Sequence, residues 1–483
     1  MKKILSVFVI LCVVVAAGYC GASWWVGAQA QKNYEALLAQ KQAGIPQLME
    51  ITTKSYERGI FHSTAVISFV LKKPGEAPGR DEALRFTMLN SIQHGPLVLA
   101  KPPHLTRTIQ PALGVISTSL IREGEVGVLA DKVLKQVPEL GTSELVTILY
   151  LDGSGENFLD VPSFKKKLTD DKGVEFEMEW GGLTLRSRFD IGLSDVSGAV
   201  NVPVVDLRYP EFHATVKNLK NDFRAYPGIK GLSVGAMNLS CENVEYKPTD
   251  GSAASRLESA EFQSGTGVSG DTITASLLAR FGKVHAEGQA YGPFVFELEL
   301  RKLDAATLAA FQEGMKDLQA QIGVKPDEEL KQAFEASYMK LLTGLIAKAP
   351  EMELRQLKAV TPWGEFNSHL QVAIAESGAS ILDNPLLALT SLSASLESAV
   401  SERLLVYVLV NSFKGDFEQE REEAPQQAEG MATEKARSVI EGLMSQGFLV
   451  REGETLKANA SYKLGNLVVN GRQLNLGDLL KTE

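Results

Sequence analysis

A run of residues without charge opens the chain and most constrains how the chain can fold. No Asp, Glu, Lys or Arg occurs from Ile4 to Val26, and Lys2 and Lys3 stand immediately before this run. As a helix rising about 1.5 Å per residue, the run would extend about 34 Å, enough to cross a bilayer core of about 30 Å. Lysines precede the run and none occurs in the five residues after it, which predicts a cytoplasmic N-terminus. We therefore expect a single-pass membrane anchor at residues 4–26.

Cleavage of this run as a signal peptide is the alternative. Ala28-Gln29-Ala30 has the small residues of a cleavage site, so the leader could be removed after Ala30. Against this, the run exceeds the roughly 7 to 15 apolar residues usual in signal peptides, and the bulky Trp24 and Trp25 precede the site. Amphipathic rings of this kind are typical of the headgroup layer at the end of a span. Retention is therefore favoured, and cleavage stays an alternative.

The composition beyond the anchor is that of a large folded body. With 22% charged and 44% apolar residues, the chain can bury a sizeable core and is long enough for two or more subdomains. A formal net charge of -10 argues against nucleic acid as a partner, because binding nucleic acid needs clustered Lys and Arg. Of the three cysteines, only Cys241 lies outside the predicted anchor, so the body can form no internal disulfide.

A two-residue period dominates the chain from the end of the anchor to about residue 300. Ser63 to Leu71 alternates and is rich in β-branched residues, as a half-buried strand requires, and Ala83 to Gln93 follows as a second strand. Trp180-Gly181-Gly182-Leu183 sets two glycines between alternating runs and predicts a β-hairpin. Strands and helices do not alternate regularly, which disfavours a parallel nucleotide-binding fold. The expected fold class is α+β, with a mostly antiparallel, β-rich periplasmic region at residues 27–300.

Helical periodicity begins near residue 304 and defines a third region, residues 301–483, which combines helices with further strands. Amphipathic helices are predicted over Asp304 to Ile322, Pro326 to Pro350, Asn384 to Val400 and Thr433 to Ser445. Two of them carry apolar stripes that we expect to pack into the core: Leu330, Phe334, Tyr338, Leu341, Leu342 and Leu345, and Leu386, Leu389, Leu392, Leu396 and Val400. Leu404 to Val410 is predicted to be a buried helix end or a core strand. Lys414 to Gly430, rich in Glu and Gln, is predicted to be a linker or mobile loop.

The sharpest enzyme-like motif is Gly231-Leu232-Ser233-Val234-Gly235, which fits the Gly-x-Ser-x-Gly elbow of serine hydrolases. That elbow requires a helix after the serine, but Met237 to Tyr246 has the pattern of a strand. We therefore predict a glycine-bordered turn, and keep a hydrolase acting through Ser233 only as a minor hypothesis. None of the six histidines stands three or four residues from another, so no local metal site is encoded. We expect no catalytic residue, no metal and no cofactor.

Two segments carry a resemblance to a known family. Ser55 to Ala65 resembles the opening signature of the YdgA-like family of bacterial envelope proteins, and His94-Gly95-Pro96 resembles its second landmark. The resemblance implies an inner-membrane anchor, a large periplasmic body in a Gram-negative envelope, and no established reaction or agreed catalytic residues. Gly59 and Gly95-Pro96 have the residue types of turns that set strand register, and Tyr56 and Phe61 those of core or inter-strand anchors.

These observations predict an inner-membrane-anchored periplasmic protein with a non-enzymatic binding or scaffolding role. The alternative is a carrier or shield for an apolar ligand such as lipid, because a long antiparallel sheet with one apolar face can form a groove. The helices between Asp304 and Ala349 would then line or cover that groove. Exposed sheet edges, on a chain concentrated in the membrane plane, also predict a homo-oligomer.

Overall fold

The computed structural model describes residues 19–28, 31, 49–71, 84–100, 110–121, 128–170, 172–321, 327–375, 390–421 and 425–474. The chain divides into two compact units. Unit 1 comprises Met1–Pro210, Lys217–Pro227 and Gln312–Glu335, and unit 2 comprises Glu211–Val216, Gly228–Phe311 and Ala336–Glu483. Within the ranges just given, no helix is both long and apolar enough to cross a membrane. Residues 4–18 of the predicted anchor lie outside those ranges.

Unit 1 is an antiparallel sheet in which most neighbouring strands are also neighbours in sequence. Its order is β1-β2-β3-β4-β5-β6-β9-β10, and β10 also pairs with β8, which pairs with β7. The predicted strands at Ser63 to Leu71 and Ala83 to Gln93 are confirmed as β2 and the first part of β3. The bounds are β1 (Met49–Arg58), β2 (His62–Leu71), β3 (Leu84–Ala100), β4 (Gln110–Leu120), β5 (Glu144–Tyr150), β6 (Gly155–Val161), β7 (Phe164–Thr169), β8 (Glu175–Trp180), β9 (Leu183–Phe189), β10 (Val196–Arg208), α1 (residues 19–28) and α2 (Val128–Gln136).

The predicted hairpin at Gly181-Gly182 is wrong, because β8 and β9 do not pair with each other. Both lie against the same strand: β8 pairs with the second half of β10, and β9 pairs with its first half. The two glycines connect β8 to β9, so that the two strands follow one another along β10. The Gly181 N–H donates to the Val204 carbonyl at 2.8 Å, and Gly182 has a φ of 89°. The glycines therefore serve close backbone approach within the sheet rather than a hairpin turn.

Unit 2 is also antiparallel, which confirms the mostly antiparallel, β-rich α+β class. Its order is β12-β13-β14-β17-β18-β19-β20-β22-β23-β24, with β15 paired to β13 and β16, and β21 to β22. Three elements contribute residues to both units: β11 (Phe212–Pro227), α3 (Ala305–Gln321) and α4 (Asp327–Ile346). The other bounds are β12 (Ser233–Pro248), β13 (Ser255–Ser269), β14 (Thr272–Phe281), β15 (Val284–Ala286), β16 (Gln289–Tyr291), β17 (Phe294–Asp304), β18 (Glu351–Thr361), β19 (Gly364–Ile374), β20 (Leu392–Ser401), α5 (Glu402–Arg421), α6 (Pro425–Ser445), β21 (Val450–Glu452), β22 (Thr455–Lys463), β23 (Asn466–Val469) and β24 (Arg472–Leu474).

The hydrophobic core is divided between small clusters. The cluster of unit 1 joins β4, β5 and β6 and consists of Ala112, Val146, Ile148 and Phe158. The cluster of unit 2 joins β12, β14 and α3 and consists of Val234, Ile273 and Ala305. Along β7 and β9, half-buried and exposed residues alternate. These strands therefore turn one face to water, as antiparallel sheets commonly do.

Two predictions for the helical region are wrong. Leu392–Ser401 forms β20, which pairs with β19 on one side and β22 on the other, instead of ending a helix. Leucines four residues apart fit a strand as well as a helix, because four is a multiple of the two-residue strand period. Residues 414–421 and 425–430, predicted to be a linker, belong to α5 and α6. Glu, Gln and Lys are strong helix formers, so their polarity did not indicate a loop.

The remaining helix predictions are largely confirmed. α3 and α4 lie where the periodicity predicts them, and Thr433 to Ser445 lies in α6. Leu404 to Val410 is helical, as part of α5, but the prediction that it is buried is wrong for Tyr407 and Val408, which are 38% and 52% exposed. In α4, however, Phe334 and Tyr338 are each 49% exposed. The prediction that this stripe packs into the core is therefore wrong for these two side chains.

Replacing Gly181 by Ala is expected to destabilise unit 1. The new Cβ would lie 2.7 Å from Val204 Cγ1 and 2.9 Å from the Val204 backbone nitrogen, and we expect this crowding to lower the free energy of unfolding by about 2 kcal/mol. Urea denaturation followed by circular dichroism measures the loss. Gly173→Ala is the matched control: Gly173 has a φ of 81° but nothing within 4 Å of its Cβ position, so only the backbone cost of about 1 kcal/mol applies. Equal losses in the two variants would contradict the assigned contact.

Candidate functional site

The candidate site is the place where α1 packs against β2 and β3 of unit 1, which we call the junction. Tyr19, Ser23 and Gly27 are four residues apart and therefore lie on one side of α1. Ser23 is fully buried, whereas Trp24 and Trp25 are 52% and 59% exposed. α1 thus presents a face of mostly small residues to the strands and leaves two aromatic side chains in the open.

Two glycines permit the close approach of helix and strand. A Cβ at Gly27 would lie 2.4 Å from Cε1 of His94 on β3, closer than non-bonded atoms approach. A Cβ at Gly95 would lie 3.2 Å from both Ser23 Oγ and Tyr19 Oη. The β3–β4 register shifts between His94 and Val98. Gly95-Pro96 therefore does mark a change of strand register, as predicted, but at a bulge within β3 rather than at a turn.

His94 and Ser63 form a buried polar pair beneath α1. Ser63 Oγ and His94 Nε2 are 2.8 Å apart, and the two residues are 1% and 2% exposed. Burial lowers the pKa of His94 below its usual value; the Ser23 backbone opposes this shift, and the nearby His62 and Arg58 add to it. The imidazole is therefore held neutral near pH 7. Among the described residues, Ser23 Oγ has no hydrogen-bond partner.

This Ser–His pair is structural in the conformation observed. A serine nucleophile needs an adjacent base, a group that orients the base, and room for substrate beside the hydroxyl. Ser63 has the base, but no carboxylate among the described residues meets the Nδ1 of His94, and Gly27 covers the ring. The pair therefore holds the imidazole in place under α1.

The turn between β1 and β2 borders the junction. The Gly59 N–H donates to the His62 carbonyl at 2.8 Å and closes the turn, which confirms the prediction for this glycine. Phe61 is 46% exposed, and its ring centroid lies 5.9 Å from that of Tyr19. The prediction of Phe61 as a core residue is therefore wrong: it contacts the helix.

Two further contacts hold α1 in place. The Tyr19 hydroxyl donates to the Leu97 carbonyl at 2.9 Å. The guanidinium carbon of Arg58 lies 4.9 Å from the centroid of the Trp24 ring, within cation–π distance. Contacts from β1, the β1–β2 turn and β3 therefore converge on α1.

The junction gathers both segments that carry the family resemblance. The segment from Ser55 to Ala65 contributes Arg58, Gly59, Phe61 and Ser63. The segment His94-Gly95-Pro96 contributes the imidazole of His94, and its Gly95 allows α1 to lie close to β3. Neither segment contains a pattern that predicts contact with the N-terminal helix. The available signal was the spacing of Ser23 and Gly27, since small residues four apart favour close packing of a helix.

Ser233 lies apart from this site, in unit 2. It is exposed and begins β12, so a strand rather than a helix follows it. The preceding turn closes with the Leu232 N–H donating to the Ile229 carbonyl at 3.0 Å, and Gly231 has a φ of 76°. The prediction of a glycine-bordered turn is therefore confirmed, and the strand–serine–helix context of a hydrolase elbow is not found.

Two other histidines lie beside glutamate side chains. His285 Nε2 is 3.1 Å from Glu258 Oε1, and His369 Nε2 is 3.3 Å from Glu353 Oε1. Over the ranges that the structure describes, no three His, Cys, Asp or Glu side chains are grouped so that they could hold a metal ion.

Two cavities of unit 1 are lined by charged groups. The larger, of about 500 Å³, contains Glu156 paired with Arg188 at 2.5 Å and Asp195 paired with Arg224 at 2.7 Å. Burial, followed by the Glu156 carboxylate, raises the pKa of Tyr150 in its wall to about 12. The smaller, of about 280 Å³, has both charged and apolar residues in its lining: Glu144, Asp160 and Arg186, and Val146, Phe158, Leu159, Pro162 and Leu185. Both cavities therefore contain charged groups, unlike the apolar groove that a lipid carrier requires.

Gly27→Ala is expected to loosen α1 from the sheet, because its Cβ has no room beside His94. We expect amide hydrogen exchange of residues 19–28 to accelerate at least about tenfold, the effect of about 1.4 kcal/mol. Gly21→Ala is the matched control in the same helix: nothing lies within 4 Å of its Cβ position, and alanine favours the helix. Exchange should therefore stay the same or slow in Gly21→Ala. Equal acceleration in both variants would contradict the assigned contact.

Docking of α1 is expected to weaken as the pH falls below about 6.5, the ordinary pKa of histidine. Docking lowers the pKa of His94, so the undocked form binds the proton more readily. Docking is therefore complete above pH 6.5 and is lost progressively as the pH falls toward the lowered pKa. Amide exchange of residues 19–28 at a series of pH values, corrected for intrinsic exchange, measures this. His94→Gln keeps a hydrogen-bonding side chain beside Ser63 but cannot titrate, so it should remove the pH dependence; an unchanged dependence would show that another group is responsible.

Comparisons with known proteins agree with the resemblance noted above. The family described as "Bacterial protein of unknown function (DUF945)" matches residues 1–477. Protein YdgA of Escherichia coli (strain K12) is 22% identical over 497 aligned residues, which cover 97% of this chain and 94% of YdgA. No solved structure matches the chain significantly. Since the match spans nearly the whole chain, the protein belongs to the DUF945 family of bacterial proteins of unknown function.

Proposed function

We propose that the protein is a membrane-anchored component of the bacterial envelope whose β-rich body has a binding or scaffolding role without catalysis. The observation that carries the proposal is the charge-free run from Ile4 to Val26 behind two lysines. A run of that length without charges favours a membrane span, and the lysines favour a cytoplasmic start. The body would then lie in the periplasm of a Gram-negative cell.

The junction supports this proposal, because the last residues of the run, 19–26, belong to α1, which is held against the sheet of unit 1. Gly27 packs on His94, Ser23 lies beside Gly95, and the Tyr19 hydroxyl bonds to the Leu97 carbonyl. A flexible Gly- or Ser-rich linker would let the body swing freely, whereas a packed helix holds it in one orientation. A fixed orientation at the membrane suits a scaffold.

The chemistry of the described side chains supports a non-enzymatic role. The Ser63–His94 pair is covered by α1, and Ser233 lies in a turn before a strand. The charged groups of the larger unit 1 cavity are paired with one another. Binding or scaffolding is therefore the function that these residues fit best.

The topology is tested by adding protease to intact spheroplasts. The body is expected to be digested without lysis of the inner membrane, while a cytoplasmic marker protein stays intact. Protection of the body until the membrane is lysed would contradict the proposed topology.

Retention by the run is tested with Val14→Arg, which places a charge near its middle. An arginine at that position costs about 2.5 to 3.5 kcal/mol of insertion free energy, so the fraction of protein that resists carbonate extraction should fall. Val14→Leu is the matched control and should stay in the membrane fraction. Equal retention of both variants would argue against anchoring by this run.

A further inference from the structure

The exposed apolar side chains at the junction form a patch that continues from the predicted anchor onto the β-strands. We name it the interfacial patch, and it consists of Tyr19, Trp24, Trp25, Ile60, Phe61 and Leu97. Each of these side chains is between 40% and 59% exposed. We propose that this patch rests in the headgroup layer of the bilayer, so that unit 1 sits directly on the membrane surface. The inference rests on the proposed function and adds the surface that faces the lipid.

Contacts or adjacent positions in the chain link the members of the patch. Phe61 stacks on Tyr19 with ring centroids 5.9 Å apart, and the Tyr19 hydroxyl bonds to the Leu97 carbonyl at 2.9 Å. Ile60 precedes Phe61 in the β1–β2 turn, and Trp24 is held by Arg58 at the end of β1. Apolar residues from a helix, a turn and a strand thus share one place on the surface.

The length of the charge-free run places this surface at the depth of the membrane interface. As the helix that the sequence predicts, residues 4–18 would extend about 22 Å, short of the bilayer core of about 30 Å. The missing 8 Å or so corresponds to about five residues, which the chain can supply only from the first part of α1. Those residues already pack against Phe61, Gly95 and Leu97. The start of β2 and the bulge of β3 are therefore brought to the same depth as the outer end of the span.

The residue types of the patch suit lipid headgroups better than a protein partner. Tyr and Trp concentrate where membranes meet water, because their rings are apolar while their OH and NH groups can hydrogen-bond. The exposed Arg58 stands at the edge of the patch, where a cationic side chain can meet lipid phosphates. We assign the bilayer that holds the anchor as the binding partner of the patch, because the patch is continuous with the charge-free run.

The test uses the full chain in nanodiscs made of phosphatidylethanolamine and phosphatidylglycerol. Cys12, Cys20 and Cys241 are replaced by Ser, and one spin label is attached at Ile60→Cys or Leu97→Cys. Collision of the label with lipid-soluble oxygen and with a water-soluble nickel chelate is then measured. Labels at both positions are expected to collide preferentially with oxygen and to be shielded from nickel.

Val133→Cys is the matched control, because Val133 is an apolar residue of unit 1 that is 44% exposed. It lies on α2, none of whose residues belongs to the interfacial patch. A label at Val133 should collide freely with nickel.

The outcomes separate this inference from the proposal on which it rests. If the chain stays in the discs but labels at Ile60 and Leu97 are as accessible to nickel as the label at Val133, the inference is overturned and the anchor stands. If the chain is not retained in the discs, both the proposed membrane anchor and the inference about the interfacial patch are contradicted. The unlabelled protein provides a second measurement: lipids brominated near the headgroup should quench Trp24 and Trp25, and absence of quenching in retained protein would also overturn the inference.

Discussion

The contact between Gly27 and His94 is the constraint on which the junction depends. No side chain larger than hydrogen fits at residue 27, since a Cβ there would lie 2.4 Å from the imidazole. The ring is itself fixed by Ser63, and burial keeps it neutral. A charged imidazole in this place would be costly, because a buried cation without a counter-charge loses its hydration and gains nothing in return. Helix position, ring orientation and protonation state are therefore parts of one arrangement.

This arrangement gives physical meaning to the segments that resemble the family signature. Gly59 closes the β1–β2 turn, Phe61 contacts the helix and Ser63 holds the imidazole. Gly95 allows the helix to approach β3. Each of these roles concerns packing or hydrogen bonding at the junction. The shared requirement is the attachment of the N-terminal helix to the sheet.

The strands were the part of the fold that the sequence predicted best. Alternation over Ser63 to Leu71 reports directly on a half-buried surface, because successive side chains point to opposite faces. The prediction of a helix at Leu392 and Leu396 was wrong because a four-residue spacing fits the period of a helix and also that of a strand. Only the pairing of β20 with strands on both sides shows that this segment is a strand. The prediction of a hairpin at Gly181-Gly182 was wrong for a similar reason. Two glycines can form a turn, but here they allow the backbone to lie close to Val204.

The junction could not be predicted, because its partners are far apart in sequence and its helix lies within an apolar run. The hydropathy of the run predicts that Ser23 and Gly27 belong to a membrane span. It does not show which side of the helix packs against the sheet. Ser63 and His94 are 31 residues apart, and only the register of β2 against β3 brings them together. The class of fold is thus encoded locally, whereas the site arises from packing between distant segments.

The most direct measurement of the docked helix is disulfide trapping between α1 and β3. In a chain with Cys12, Cys20 and Cys241 replaced by Ser, Ser23→Cys combined with Gly95→Cys places two thiols where Ser23 Oγ lies 3.2 Å from the Cβ position of Gly95, within the geometry of a disulfide. Trp24→Cys with Gly95→Cys is the control, since residue 24 is turned about 100° around the helix. The account predicts that the first pair oxidises completely and the second stays reduced, as measured by mass spectrometry after alkylation. Free thiols in both pairs, or equal oxidation of both, would contradict it.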